Sequence, residues 1–169
     1  MVVALAVVSD THIPSRADSI PPWIEDRTQA ADHVVHAGDF DSAGAYERIV
    51  ELAGGEESLT AVVGNIDPRS FDLPIVETLA VEDATFVVTH GAGPRHGYRE
   101  RVAETVREEG GVDAVGIAGH THEPLDAVVD GVRLLNPGTA TGAPPGAEPT
   151  MYEVRVDGDD VSVTLHRPA

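Results

Sequence analysis

Seven candidate ligands for divalent metal ions, Asp10, His12, Asp39, Asn65, His90, His120 and His122, lie in five short blocks of this chain. The blocks are Ser9-Asp10-Thr11-His12, His36-Ala37-Gly38-Asp39, Gly64-Asn65, Thr89-His90-Gly91 and Gly119-His120-Thr121-His122. In the last block two histidines stand one residue apart, after an apolar run and before Glu123-Pro124. At strand spacing residues i and i+2 share a face, so both imidazoles would reach toward one point. The glycine before them lets the backbone turn sharply. Together the blocks offer carboxylate oxygen, amide oxygen and imidazole nitrogen; cysteine is absent, which excludes thiolate. That donor set suits Mn2+, Fe2+, Co2+, Ni2+ or Zn2+. Seven ligands exceed the roughly four to six positions of a single ion. Two ions sharing one carboxylate would use them all, and ions about 3.5–4 Å apart are a recurring device for phosphoryl transfer.

The elements that must position these blocks follow from the apolar pattern. Residues 2–8, 33–37, 60–63, 85–89 and 112–118 are rich in Val and Ala and read as buried strands. Residues 42–53 and 97–109 read as helices, the second with a charged outer face. Helices between buried strands imply βαβ units and a largely parallel sheet. Each block closes one of the five strands, and ligands of such sheets bind beyond the carboxyl ends of the strands. After residue 124 the pattern changes. Residues 125–129, 132–135, 151–156 and 161–166 read as strands in hairpins that turn at Asp130-Gly131 and Asp157-Gly158. Residues 138–149 form a Gly/Pro-rich surface loop.

With 169 residues, 41% of them hydrophobic, the chain suits one domain spanning 1–169. The opening MVVALAVV has no basic residue before it and reads as a buried strand, not a signal peptide. No run is long enough to cross a bilayer. With no cysteine as well, the expected location is the cytoplasm. The formal net charge is -18, and all 11 basic residues are arginine. Acid excess without lysine points to a halophile, where salt screens self-repulsion. The same charge argues against a long nucleic-acid partner.

In this order the blocks D-x-H, G-D, G-N, H-G and G-H-x-H resemble the metallophosphoesterase (calcineurin-like phosphoesterase) superfamily. The length and Asn136-Pro137-Gly138-Thr139 resemble its compact prokaryotic phosphodiesterase branch. The resemblance covers residues 1–139 and implies an α/β fold, a four-layer α/β/β/α sandwich with two mixed β-sheets. It implies that Asp10, His12 and His122 bind a first metal and that Asp39 bridges both. Asn65, His90 and His120 would complete the second, with Asn65 also counted as catalytic. Two divalent ions per chain are implied, Mn2+ first, with Ni2+, Fe2+, Co2+ or Zn2+ as alternatives. The nucleophile would be the hydroxide bridging them, and the substrate a small phosphate ester. Many members carry a histidine after Gly-Asn, near the leaving group; here the residues are Ile66 and Asp67. Esters with poor leaving groups should therefore react slowly unless Asp67 supplies a proton.

The other polar residues have simpler expectations. His33 and His36 should be structural, His36 supporting a ligand; His166 and Glu123 should face water; Asp41 should cap a helix. Asn136-Pro137-Gly138 fits a type II turn that shapes the site. Arg95 is the candidate substrate contact, and Arg101 should pair with glutamates along its helix. The alternative function is a non-catalytic metal-binding interaction scaffold of the same fold, as in a retromer subunit, for which eroded ligands would be the mark. An amidohydrolase barrel needs about 250 residues. Homo-oligomerisation stays open.

Overall fold

The first strand has apolar residues on both faces, and such a strand must be covered on both. In β1 (Val2–Val8), Leu5 and Val7 enter one core while Ala6 and Val8 enter another. The computed structural model, which describes residues 1–169, meets this requirement with two stacked sheets and outer helices. After β1 come α1 (Pro22–Ala30), β2 (His33–His36), α2 (Ala43–Ala53), a short 3-10 turn (Glu56–Ser58) and β3 (Leu59–Ala61). Then follow β4 (Val76–Val81), β5 (Ala84–Thr89), α3 (Tyr98–Gly110) and β6 (Val115–Ile117). The chain ends with β7 (Pro124–Val129), β8 (Val132–Pro137), β9 (Met151–Asp157) and β10 (Asp160–His166).

One sheet has the order β10-β9-β1-β2-β3, the other β4-β5-β6-β8-β7. In the first, β1, β2 and β3 run parallel and the hairpin β9–β10 is added antiparallel through β9. In the second, β5, β6 and β8 are parallel, flanked by antiparallel β4 and β7. Leu5, Val7, Val35, Phe86, Val88 and Ile117 form the layer between the sheets. Ile24 of α1 and Ile49 and Leu52 of α2 pack on the outer face of the first sheet. Val102, Ala103 and Val106 of α3 cover Val87 and Leu134 of the second. Gly116 in β6 permits that approach, since a Cβ there would lie 2.6 Å from Val106 Cγ2. The result is the expected four-layer sandwich with two mixed sheets.

Some boundaries differ from the expectation. The strand expected over 112–118 is confined to Val115–Ile117, because Val112 is 59% exposed and lies before the layer begins. Helix α1 has no strong apolar stripe, burying only Ile24 and Thr28, and β4 is an edge strand with one buried residue. Neither carries a period that sequence reading can detect. Both C-terminal hairpins form where expected, with Asp130 and Gly131 at φ 50 and 81. No helix is long and apolar enough to cross a membrane. At the carboxyl edge the two sheets' loops are tied within themselves, Asp10 N to Gly38 O at 3.0 Å and Gly119 N to His90 O at 3.1 Å.

Candidate metal centre

At that edge the seven singled-out residues converge. Asp10, His12 and His122 form one group and Asp39, His90 and His120 another, each with ligand atoms within 4.8 Å of one another. Asn65 joins the second, its Oδ1 lying 3.2 Å from His120 Nδ1. Asp39 Oδ2 stands between the groups, 3.6 Å from His12 Nε2 and 3.1 Å from His90 Nε2. Asp10 Oδ1 is 3.3 Å from His122 Nε2 and 3.9 Å from His90 Nε2. The two neighbouring histidines do not share a strand face. Both sit in a loop at positive φ, 76 for His120 and 64 for His122, and their rings go to different groups.

The ring partners assign the protons. Nδ1 of His12 is 2.8 Å from Asp41 Oδ1, that of His90 2.7 Å from Ala37 O, and that of His122 2.7 Å from Ala143 O. Carbonyls and carboxylates only accept, so each Nδ1 carries the hydrogen and each Nε2 a lone pair. His120 is reversed: its Nε2 donates to Gly93 O at 2.8 Å, leaving the lone pair on Nδ1. The Nε2 atoms of His12 and His122 then face each other at 3.1 Å, lone pair toward lone pair. His90 Nε2 and Asp10 Oδ1 are buried with no hydrogen-bond partner. A cation among these atoms relieves the conflict, and imidazoles oriented by an outer carboxylate or carbonyl are the usual support of a metal ligand. Without a metal the same carboxylates draw a proton to this place: burial resists charging His90, but Asp39 beside its Nε2 and the charge of Asp10 push its pKa up to about 9. Burial likewise opposes ionising Asp10, yet the neighbouring imidazoles of His12, His122 and His90 hold it well below the usual carboxylate range.

Holding so many acceptors together strains the backbone. Asp10, His12, Asp39, Asp41, His120 and His122 all have φ between 47 and 82, a conformation costing roughly 1–3 kcal/mol each. The glycines admit the close approach: a Cβ on Gly64 would lie 2.1 Å from Asp39 Oδ1, and one on Gly119 2.6 Å from Asp10 Oδ2. Surrounding hydrogen bonds fix the strained loops. Thr139 Oγ1 donates to Asp10 O at 2.8 Å and Thr141 Oγ1 to Thr11 O at 2.9 Å. Asn136 Nδ2 donates to Gly119 O and Thr121 Oγ1, and Tyr98 to Gly119 O at 2.6 Å. The Asn136-Pro137-Gly138 segment therefore shapes the site through the asparagine side chain, with Gly138 at φ 77. Ile66 N donates to Asp39 Oδ1 at 2.9 Å, leaving Oδ2 as the free oxygen.

Several outer residues act differently from the expectation. Asp41 does not cap α2, because Ser42 does so by accepting from Ala45 N; Asp41 instead accepts from His12 and Ser15. Asp67 is not a free acid, since both oxygens accept from backbone N–H groups of residues 39, 40, 41 and 64. Arg101 pairs with no glutamate. Its Nη2 donates to Gly91 O at 3.0 Å and Pro94 O at 3.1 Å, steadying the loop whose Gly93 carbonyl holds His120. Arg16 similarly donates to Pro144 O. Arg95 lies at the exposed rim, donating to Thr121 O at 2.9 Å and standing 3.5 Å from Glu123. His33 bonds Thr60, as a structural residue would. His166 is half-buried rather than solvated, and burial lowers its pKa.

His36 is a sealed support. Its Nε2 donates to Thr11 Oγ1 at 2.7 Å, its Nδ1 accepts from Gly38 N at 3.0 Å, and the ring stacks on Phe40. Burial pushes its pKa down to about 3. An unfolded histidine titrates near 6.5, so acid protonates the unfolded chain first. The stability this contributes is intact above about pH 6.5 and is lost as pH falls toward 3. Imidazole NMR should show His36 neutral, with hydrogen on Nε2, from about pH 8 down to about pH 4. A resonance titrating near 6.5 would contradict the sealed ring.

Comparison with known proteins accords with this geometry. The calcineurin-like phosphoesterase superfamily domain matches residues 3–159. A probable metallophosphoesterase of Methanothermobacter thermautotrophicus is 30% identical over 164 residues, covering 96% of this chain and 91% of that one. A phosphodiesterase of Methanocaldococcus jannaschii is 28% identical over 153 residues, covering 82% and 84%. The crystal structure of Chaetomium thermophilum Vps29 superposes with a TM-score of 0.81 at 17% identity, covering 98% and 97%, a likeness of fold. The chain belongs to the calcineurin-like phosphoesterase superfamily.

Proposed function

We propose that this chain is a phosphodiesterase that hydrolyses a small phosphate ester with two bound divalent ions, water being the nucleophile. The observation that carries this reading is the convergence of seven candidate ligands, the four imidazoles among them bonded on their far sides. Asp10, His12 and His122 would hold one ion, and Asn65, His90 and His120 the other, with Asp39 shared. Mn2+ is the first candidate, ahead of Ni2+, Fe2+, Co2+ or Zn2+. Such ions polarise a phosphoryl oxygen and lower the pKa of water. The protein's share is orientation: Asp41, Ala37, Ala143 and Gly93 aim the four rings, and Ile66 N fixes Asp39. Asn65 is exposed at the mouth, and Arg95 at the rim is the proposed substrate contact. A monoanionic diester suits a chain of net charge -18 better than a dianionic monoester, and the similar Methanocaldococcus protein is named a phosphodiesterase. A scaffold role is the second reading, favoured by the likeness to Vps29; the intact acceptor set favours hydrolysis. We read residues 1–169 as one cytoplasmic domain of a halophile, with no long nucleic-acid partner.

Metal analysis tests the core of this reading. The saturated protein should carry two ions per chain, and Asp39→Ala should lose both, whereas His122→Ala should chiefly loosen the first. One ion or none in the wild type would sink it.

The leaving group tests the chemistry. Ile66 has no proton to give, and Asp67 is occupied by backbone donors. Positioned proton transfer is worth about 10²–10⁴-fold, so nitrophenyl diesters should react readily and alkyl diesters far more slowly. Equal rates would show that another group supplies the proton.

Salt tests the origin. Melting temperature should rise from dilute buffer to concentrated KCl, where the Debye length shrinks to about 3 Å. A flat or falling curve would count against halophily.

A further inference from the structure

Asp67 belongs to neither ligand group, yet its carboxylate holds backbone that leads to both. Oδ2 accepts from Asp39 N at 2.9 Å and Gly64 N at 2.8 Å; Oδ1 accepts from Phe40 N at 2.7 Å and Asp41 N at 3.0 Å. Three of these four amides lead to a candidate ligand. Asp39 is the shared carboxylate, Asp41 orients His12, and Gly64 precedes Asn65. No strand ladder serves this stretch: β2 ends at His36 and α2 begins at Ala43, while β3 ends at Ala61 and β4 begins at Val76. With Asp39 and Asp41 at φ 66 and 82, the successive N–H groups of residues 39–41 form a concavity that calls for an anion. The chain supplies that anion from its own Asp67.

We propose that Asp67 is a positioning residue that preassembles both ligand groups, so that one carboxylate sets the metal affinity of the two together. The mechanism is geometric. Asp67 fixes the 39–41 loop against the 64–65 turn, and with it the distance between Asp39, His12 and Asn65. Asparagine at this position has one acceptor oxygen; its NH2 group would face two of the four N–H donors. The proposal rests on the two-ion reading, and the test separates the two.

The experiment combines amide hydrogen exchange of the metal-free wild type with Mn2+ calorimetry of the full chain and its variants. In the wild type the amides of residues 39, 40, 41 and 64 should be protected before any metal is added. Asp67→Asn should expose them and weaken binding of both ions by about 10–100-fold, the usual effect of losing an outer partner. Asp41→Asn should weaken only the ion of the Asp10, His12 and His122 group. Ile24→Val, which loosens the α1 core, should leave affinity unchanged and so show that lower stability alone is not the cause. Affinity of Asp67→Asn within about twofold of wild type would overturn the proposal, as would fast exchange of the four wild-type amides. Should Asp67→Asn fail to fold, the wild-type exchange decides. A wild type that binds none of Mn2+, Ni2+, Fe2+, Co2+ and Zn2+ defeats the two-ion reading, while protection of the four amides still decides whether Asp67 holds the loops.

Discussion

The constraint on which this structure turns is repulsion among electron pairs. Two imidazole nitrogens face each other at 3.1 Å, and a third lies at the same separation from an aspartate oxygen, contacts that only a proton or a metal ion reconciles. The arrangement persists only because each ring is gripped from its far side. The grips cross between elements: His90, at the end of β5 in one sheet, is held by Ala37, at the end of β2 in the other. His12 is held by Asp41 ahead of α2, and His122 by Ala143 in the loop between β8 and β9. The hydrogen bond that aims His90 therefore also fastens the two sheets together at their carboxyl edge. At this ring, orientation of a candidate ligand and closure of the sandwich are one interaction.

The same edge concentrates backbone strain. Six of the eight non-glycine residues with positive φ are there, and the other two, Glu82 and Asp130, lie in hairpin turns. Such conformations persist where the surroundings over-determine them. Here the surroundings are Thr139, Thr141, Asn136 and Tyr98, all bonding backbone carbonyls near the ligands. The apolar layers beneath make this tolerable, because Leu5, Phe86, Ile117 and Val154 bury fully between regular strands whose own ladders need no help from the loops.

The sequence disclosed what depends on residue type and short spacing, and concealed what depends on approach in space. The convergence of the candidate ligand blocks was legible because metal chemistry restricts side chains and strand ends place them together. The buried strands were legible through their Val-rich runs, and both C-terminal hairpins through Asp-Gly turns. Helix α1 and strand β4 were not, since one buries two residues and the other lies at an edge. Asp41 was read as a helix cap, and only the fold shows that His12, 29 positions earlier, claims it while Ser42 caps α2. Asp67 gave one usable signal, an acidic residue three places after Gly64. Its bonds to residues 39–41, nearly thirty positions away, had no local trace.

The arginine tethers have a consequence for the medium in which this fold can work. Arg16, Arg95 and Arg101 each donate to a main-chain carbonyl of a loop at the site, although acidic side chains outnumber basic ones 29 to 11. An exposed ion pair fades as mobile ions crowd around it. A guanidinium bonded to a neutral oxygen depends less on long-range Coulomb attraction and more on direction and contact. The loops around the acceptor cluster are thus anchored by bonds that tolerate brine. The charge that keeps the surface hydrated and the bonds that keep the site in shape are assigned to different atoms, so ionic strength can change the one with little disturbance of the other.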